Sequence, residues 1–234
     1  LSKIDTHKIT TSLPNPIVII NKLNEIKKLG YTHVIINTIS SGLSGTYNAI
    51  RMIIEDYEGL KFALIDTKNI SKGSGYTTYT ALELIKQGLS FDEVVSQVNQ
   101  KLDDHKVFFT IGTVEHLRRG GRIGLVAGTI ASVLNIKPII SCNEKAVYYT
   151  VKKTRGYQKA ISILIDLAHA FASESKKYDI TVLIAKVDEK IKSAIEKVKT
   201  LFVNTVKFEI KSVTPALAIH TGPEAFGIVV SKRS

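Results

Sequence analysis

Two hydrophobic patterns alternate along the first half of the chain: apolar residues spaced for one face of a helix, and short continuous apolar runs typical of buried strands. From Ile17 to Leu29 apolar residues recur at three-residue steps, with prolines before them and Gly30 after them, which predicts a helix. Apolar runs predict strands at 34–36, 62–65 and 106–111, and amphipathic stretches predict helices at 47–55, 77–87 and 91–102. Strands and helices in this order form right-handed βαβ units, so we expect a parallel, Rossmann-like sheet covered on both faces.

The second half of the chain has a different order of patterns. Apolar runs predict strands at 136–141, 145–152, 180–185, 206–210, 216–219 and 226–230, and helical patterns cover 113–119, 127–134, 157–175 and 189–202. A turn at Asn143-Glu144 makes the first two strands neighbours, whereas helices separate others, so we expect mixed strand directions. The sequence therefore predicts an α/β protein of two domains, a parallel-sheet N-terminal domain at 1–111 and a C-terminal α+β domain with a mixed sheet at 112–234.

Composition narrows the class of protein. The chain has 234 residues, of which 44% are hydrophobic and 23% charged, and these proportions are ordinary for a globular protein. Its 32 Lys and Arg against 21 Asp and Glu give a net charge of +11, which raises nucleic acid, anionic lipid or phosphorylated ligands as partners. The single cysteine, Cys142, excludes an intrachain disulfide and a multi-cysteine zinc site, and the six histidines lack ligand spacing, so we expect no metal and no cofactor. The apolar runs are too short to span a bilayer, and we expect a cytoplasmic protein.

Hydroxyl side chains are concentrated in two loops that precede helices. Residues 40–46 have the sequence Ser-Ser-Gly-Leu-Ser-Gly-Thr and follow a predicted buried strand. Ligands of open α/β sheets bind at the carboxyl ends of strands, where helix amides and hydroxyls accommodate anions. A capped turn with Ser44 as N-cap explains the same residues equally well. A second cluster, at Thr10, Thr11 and Ser12, precedes the first helix, and if both clusters share one sheet edge their hydroxyls converge on one carboxylate or phosphate.

A serine hydrolase is one alternative that the sequence leaves open. Ser44 or Ser41, then Asp66, then His220 follow one another in a Ser-Asp-His order, although residues 42–46 depart from G-x-S-x-G at the last position. The glycines of residues 73–75 resemble part of a dinucleotide fingerprint, but a loop preceding a helix explains them.

Basic residues cluster at 118–122 and at 152–155. Nucleic-acid binding favours aromatic side chains interleaved with the basic ones, whereas aromatics make up 7% of this chain and Trp is absent. We therefore expect the clusters to dock a partner or face phosphates rather than bind nucleic acid, and a basic nucleic-acid-binding protein stays an alternative. His220, predicted at a strand end before Gly222-Pro223, is either a turn residue or a group that faces a carboxylate.

Seven short motifs, in one order along nearly the whole chain, resemble those of the DegV family. They are Thr11-Ser12-x-Pro14, Ser40-Ser41-x-Leu43-Ser44-Gly45-Thr46, Asp66-Thr67-x-x-x-Ser71-x-Gly73-x-Gly75, Leu117-x-x-Gly120-Gly121-Arg122-Ile123, Leu134-x-Ile136-Lys137-Pro138-Ile139, Arg155 and His220-x-Gly222-Pro223. The family normally begins with a strand that carries an Asp-Ser pair some tens of residues further upstream, and the sequence has no counterpart of that strand.

The resemblance implies a bacterial two-domain α/β protein that binds one long-chain fatty acid between its domains. It implies a carrier with no catalysis of its own, which presents the carboxylate to a separate ATP-dependent fatty acid kinase that forms an acyl phosphate. We also expect transient contact with a membrane surface.

The family's binding residues carry over to matching positions of this sequence. The residues implied for the carboxylate are Thr11, Ser40, Ser41 and His220, with Ser12, Gly42, Ser44, Gly45 and Thr46 shaping the site around them. Arg122 and Arg155 belong to motifs that we assign to the interdomain surface or to kinase docking. The acyl chain needs an apolar lining, for which the candidates are Ile123, Leu125, Val126, Ile130 and Leu134, although a place in the hydrophobic core explains these five equally well.

Overall fold

The structure is a computed structural model that describes residues 9–129 and 135–233. Its first part alternates helices and strands: α1 (Pro16–Lys28), β1 (His33–Thr38), α2 (Thr46–Glu55), β2 (Lys61–Asp66), α3 (Lys72–Lys86) and α4 (Phe91–Gln100). β1 and β2 form a two-stranded parallel sheet, paired in register from His33 opposite Lys61 to Thr38 opposite Asp66. This is the parallel pairing that the alternating pattern predicts.

The second part is built on a six-stranded mixed sheet. It comprises β3 (His105–Thr110), α5 (Glu115–Arg119), β4 (Ile136–Cys142), β5 (Tyr148–Arg155), α6 (Tyr157–Ala172), β6 (Lys177–Ile184), α7 (Glu189–Leu201), β7 (Thr205–Ser212), α8 (Pro215–Thr221) and β8 (Phe226–Arg233), with short 3₁₀ turns at Leu102–Asp104 and Gly124–Thr129. The strand order is β5-β4-β3-β8-β6-β7, and only β6 and β7 run parallel. The predicted fold class, α/β with a parallel and a mixed sheet, is confirmed.

Local signals explain where the helices begin and end. Asn15 caps α1 by accepting a hydrogen bond from the backbone N–H of Ile17 at 2.9 Å, and Gly30 follows the helix at a φ of +83°, a conformation that glycine adopts without strain. Ser90 and Glu93 form a reciprocal capping box at the start of α4.

The third predicted strand joins the other sheet. β3 pairs antiparallel with β8 along its whole length and with β4 at its end, so the prediction that residues 106–111 extend the parallel sheet is wrong. Nearly every position of β3 is buried, and a short apolar run of this kind does not reveal its partner or direction. The division into domains at 1–111 and 112–234 stays a prediction.

Two further differences concern helices. Residues 216–219 are predicted as a strand but lie in α8, which begins with Pro215 at its first position. α3 begins at Lys72 rather than at 77, so the glycines at 73 and 75 lie inside its first turns instead of in a loop. A Cβ at Gly73 would lie 2.3 Å from Oδ1 of Asn69, so this glycine permits close packing. Of the predicted helix at 127–134, residues 130–134 lie outside the described residues.

The six-stranded sheet carries a hydrophobic cluster on each face. One cluster packs the sheet against α6 and α7, with Leu164 and Ile180 fully buried at its centre. The other joins the sheet to the loops that follow β1 and β2, through Phe109, Leu43 and Ile70. This second cluster brings the carboxyl ends of the parallel strands against the mixed sheet.

His105 joins these layers by hydrogen bonds. Its Nδ1 lies 2.9 Å from the Ser231 hydroxyl on β8 and its Nε2 lies 3.2 Å from the Thr80 hydroxyl on α3, while its ring stacks on Tyr76. Burial, with a smaller contribution from the charge of Lys101, lowers the pKa of His105 to about 4.

We expect this histidine to make folding stability depend on pH. Between its ordinary pKa of 6.5 and the folded value of about 4, the unfolded chain binds more protons than the folded chain. The free energy of unfolding therefore falls by up to about 3 kcal/mol as the pH drops from 7 to 4. Urea unfolding at several pH values checks this, and the His105→Gln variant should lose that part of the pH dependence. A His105 imidazole that titrates near 6.5 by NMR contradicts it.

Candidate functional site

A cleft of about 740 Å³ lies at the carboxyl ends of β1 and β2, against the mixed sheet. Its walls come from the loops after both strands, from the segment before α1, and from α8. The lining includes Thr11, Ser12, Leu13, Ile39, Leu43, Ser44, Thr46, Ile70, Ser71, Lys72, Tyr79, Arg122, Tyr148, Leu183, Lys211, Leu217 and His220. Both predicted hydroxyl clusters therefore contribute to one cleft, at the sheet edge where ligands of α/β proteins bind.

A hydrogen bond between Thr11 and His220 marks the polar end of the cleft. The Thr11 hydroxyl lies 3.0 Å from Nε2 of His220, although 209 positions separate the two residues in sequence. Burial, and secondarily the charge of Arg122, lowers the pKa of His220, so the imidazole is neutral at neutral pH. His220 lies in the last turn of α8 and not at a strand end.

Two glycines bring α5 and α8 close enough to position this histidine. A Cβ at Gly120 would lie 2.2 Å from Nδ1 of His220, and a Cβ at Gly222 would lie 2.4 Å from Cδ2 of His116. His220 of α8 thus packs against Gly120 at the end of α5, and His116 of α5 packs against Gly222 at the end of α8. Gly222 also has a φ of +80°, which side chains rarely adopt.

Ser44 and Thr46 add hydroxyls to the same cleft. The two hydroxyl oxygens lie 2.9 Å apart, and Ser44 Oγ also accepts from the backbone N–H of Thr46 at 3.3 Å. The N-cap of α2 is Gly45, one residue beyond the predicted Ser44. A Cβ at Gly45 would meet Leu13 at 3.4 Å, so the segment before α1 packs on this loop.

Ser40 and Ser41 direct their hydroxyls to protein acceptors instead. Ser40 is fully buried and donates to the carbonyl of Ala146, in the turn between β4 and β5. Ser41 donates to Oδ2 of Asp66 at 2.5 Å, and its backbone N–H donates to Oδ1 of the same carboxylate at 3.1 Å. A Cβ at Gly42 would lie 2.4 Å from the Ala146 carbonyl oxygen. These residues fix the loop, and their assignment to a ligand carboxylate stays a prediction.

The two predicted docking arginines lie in different environments. Arg122 is half-buried in the cleft wall, where Nε donates to the carbonyl of Leu43 at 3.0 Å and Nη1 to that of Gly120 at 2.6 Å. Arg155 is exposed at the end of β5, opposite Ile136. Arg122 therefore connects the hydroxyl loop with the basic turn, whereas Arg155 is open to a partner.

Of the five predicted acyl-chain residues, three lie within the described part of the chain, and none of these three lines the cleft. Ile123 is half-buried, Leu125 is exposed and Val126 is fully buried in the core, and the described cleft lining includes none of them. Ile130 and Leu134 lie outside the described residues. The wall is formed instead by Ile39, Leu43, Ile70, Leu183, Ala216 and Leu217, with the rings of Tyr79 and Tyr148.

Part of this apolar wall leads towards the core. Ile70, Leu183 and Leu217 also line a smaller interior cavity of about 20 Å³ that includes Phe109 and Phe226. These residues come from separate elements, so periodicity within one segment could not reveal them. Ile70 alone carries a signal, because it lies within the motif that runs from Asp66 to Gly75.

The described residues show no hydrogen bond that joins Ser41 or Ser44 to a histidine. Ser41 contacts Asp66 directly, Ser44 contacts Thr46, and His220 contacts Thr11. Within residues 9–129 and 135–233, no group of three or more His, Cys, Asp or Glu side chains is arranged to hold a metal ion. No helix in these same ranges is long and apolar enough to cross a membrane.

Related chains share this sequence over nearly its full length. Residues 1–233 match the family model described as "Uncharacterised protein, DegV family". The chain is 37% identical over 227 residues to a DegV domain-containing protein of Clostridium acetobutylicum, a match that covers 96% of this chain and 79% of the relative. It is 35% identical over 223 residues to one of Clostridium perfringens, covering 95% of this chain and 79% of the relative.

Solved structures share the fold. A fatty acid binding DegV family protein from Streptococcus agalactiae matches with a TM-score of 0.89 and 26% identity, covering 100% of this chain and 82% of that one. DegV from Bacillus subtilis, a fatty acid binding protein, matches with a TM-score of 0.85 and 26% identity, covering 96% of this chain and 79% of that one.

We expect Gly120→Ala to displace the His220 ring. The added Cβ has no room beside Nδ1, so the Thr11–His220 bond should break and the free energy of unfolding should fall by about 1–3 kcal/mol. NMR of the His220 ring protons and urea unfolding measure the two effects. Gly128→Ala is the matched control, because no atom of the described residues lies within 4 Å of a Cβ there. Unchanged His220 signals in Gly120→Ala contradict this account.

Proposed function

The chain belongs to the DegV family, and we propose that it binds one long-chain fatty acid in this cleft. The observation that carries the proposal is the composition of the cleft, which joins an end of hydroxyls and a neutral histidine to an apolar wall. Its volume of about 740 Å³ falls within the range of small-molecule sites. The fatty acid binding proteins of Streptococcus agalactiae and Bacillus subtilis, which share its fold at 26% identity, support the proposal.

The carboxylate lies at the polar end, near Thr11 and His220. Hydroxyls and a neutral imidazole satisfy a carboxylate by hydrogen bonds, which avoids the large desolvation cost of a buried ion pair. Ser44 and Thr46 offer further hydroxyls in the same wall. Arg122 uses two N–H groups on backbone carbonyls, and a guanidinium has five, so it can also attract the anion.

The acyl chain lies along the apolar wall towards the interior cavity. Burying about fifteen methylenes contributes on the order of 12 kcal/mol before ordering costs are subtracted. The wall therefore supplies most of the affinity, and the hydroxyl end fixes the orientation of the acid. Ile70, Leu183 and Leu217 lie on this path, since both cavities share them.

The protein is a carrier that presents the carboxylate to an ATP-dependent kinase, which forms the acyl phosphate. The position of the polar end supports this role, because Thr11 and Ser12 are exposed and a partner could reach the head group there. Arg155 is exposed and suited to docking such a partner. α1 exposes Ile17 and Val18, which favours transient contact with a membrane surface.

We expect the protein purified from a bacterial host to carry one long-chain fatty acid. The apolar wall makes release into water unfavourable, so the acid should survive purification and be extractable with organic solvent. Native mass spectrometry before and after extraction measures the stoichiometry. Protein that repeatedly lacks lipid and takes up no added acid would exclude fatty acid binding. A fluorophosphonate probe that labels Ser41 or Ser44 would favour the hydrolase alternative.

Thr11→Val and His220→Ala should each weaken binding of the free acid by about 1–3 kcal/mol, because each removes a hydrogen bond to the carboxylate. The double variant should lose less than the sum, since both groups hold one carboxylate. The methyl ester should bind wild type more weakly than the acid does, and this difference should shrink in the variants. Titration of acid and ester against all proteins, with Thr10→Val as control, measures these effects.

Ser41→Ala separates a ligand role from a loop role. If the Ser41 hydroxyl only stabilises the loop by its hydrogen bond to Asp66, the variant loses folding stability but retains most of the preference for acid over ester. A loss of that preference as large as in Thr11→Val supports the carboxylate role implied by the family. Equal affinity of wild type for acid and ester would mean that this end does not bind the carboxylate.

A further inference from the structure

Tyr148 is a buried tyrosine of the cleft wall to which the proposed binding mode assigns no part. It is the first residue of β5, 3% exposed, and its ring packs edge-on against Phe109 at a centroid distance of 5.2 Å. Successive side chains of a strand point to opposite faces, and accordingly the next residue, Tyr149, lines a different cavity. Tyr148 alone of this pair reaches the cleft.

The Tyr148 hydroxyl has no hydrogen-bond partner among the residues that the structure describes. Three polar side-chain atoms in this part of the chain are sealed from solvent and have no hydrogen-bond partner, namely Asn37 Oδ1, Thr77 Oγ1 and His220 Nδ1. Tyr148 lines the cleft, and its hydroxyl is not among these sealed atoms. A hydroxyl of the cleft wall that has no partner among the described residues is available to donate to an acceptor on the ligand.

The position of Arg122 indicates which part of the ligand supplies that acceptor. Its charge acts on both His220 and Tyr148: burial lowers the pKa of His220 and Arg122 adds to this, whereas burial raises the pKa of Tyr148 and Arg122 opposes it. Arg122, Tyr148 and His220 all line this cleft, so the guanidinium lies in the same wall as both side chains. The raised pKa keeps Tyr148 protonated, so its hydroxyl is a donor.

We propose that Tyr148 is a further head-group residue, whose hydroxyl donates a hydrogen bond to the carboxylate of the fatty acid beside Arg122. This rests on the proposed binding of a fatty acid in the cleft. The carboxylate then lies between Thr11 and His220 on one side and Tyr148 on the other. An anionic oxygen is a stronger acceptor than any group on a saturated acyl chain, so the carboxylate is the part of the ligand best suited to accept from this hydroxyl.

Tyr148→Phe is the deciding variant, because it removes the hydroxyl and keeps the ring that packs on Phe109. Wild type, Tyr148→Phe and the matched control Tyr149→Phe are titrated with hexadecanoic acid, with its methyl ester and with a mid-chain hydroxylated acid. We expect the Kd of Tyr148→Phe for the acid to rise by about 10-fold to 100-fold, the effect of one hydrogen bond to a charged acceptor. The rise for the ester should be smaller, and Tyr149→Phe should resemble wild type.

The melting temperature of the ligand-free protein separates binding from structure. Since the hydroxyl lacks a partner in the described residues, Tyr148→Phe should melt no lower than wild type while it binds the acid more weakly. An unchanged Kd for hexadecanoic acid overturns the proposal. A loss confined to the hydroxylated acid also overturns it, because the hydroxyl would then face the chain. If wild type binds none of the three ligands, fatty acid binding itself fails, and the role of Tyr148 fails with it.

Discussion

The cleft depends on the close approach of residues 40–46 to the turn between β4 and β5. Ser40 is buried there and donates to the carbonyl of Ala146, and a Cβ at Gly42 would collide with the same carbonyl. The side chain of Asn143 stabilises this β4–β5 turn by accepting hydrogen bonds from the backbone N–H groups of Lys145 and Val147. Ala146 has a φ of +61°, which is uncommon for a residue other than glycine. This contact joins the loop of the parallel sheet to the mixed sheet, and the cleft lies beside it.

The electrostatics of the cleft differ from those of the whole chain. The net charge is +11, yet the polar end offers a neutral histidine and hydroxyls, and the guanidinium of Arg122 is already bonded to two carbonyls. Most ion pairs lie on the exposed surface, where each contributes little to stability. Lys72 and Lys211 also line the cleft, and their ammonium groups lie 3.0 and 3.7 Å from carboxylate oxygens of Glu209. An anion in the cleft therefore meets hydroxyl and imidazole dipoles together with cations that already have protein partners.

The sequence predicted the strand ends that carry the hydroxyl loops, because buried apolar runs and glycine-containing turns are local signals. It could not predict that β3 leaves the parallel sheet, since a fully apolar strand is compatible with either partner. Residues 216–219 have too few positions to distinguish helix from strand, and this error misassigned the element that carries His220. The described part of the apolar wall was not predicted, for a related reason. Its residues Ile39, Ile70 and Leu183 lie in two loops and one strand and meet only through tertiary packing.

A cleft assembled from such distant segments links binding to the arrangement of the fold. Thr11 and Ser44 come from the first part of the chain, and Leu183 and His220 come from the second, so a ligand in contact with all four stabilises their relative positions. The packing of glycine against histidine between α5 and α8 maintains His220 at the polar end without a ligand. The polar end is therefore organised in advance, which reduces the entropy lost on binding. The proposed acyl chain would lie along the apolar wall, which shares Ile70, Leu183 and Leu217 with a cavity of about 20 Å³.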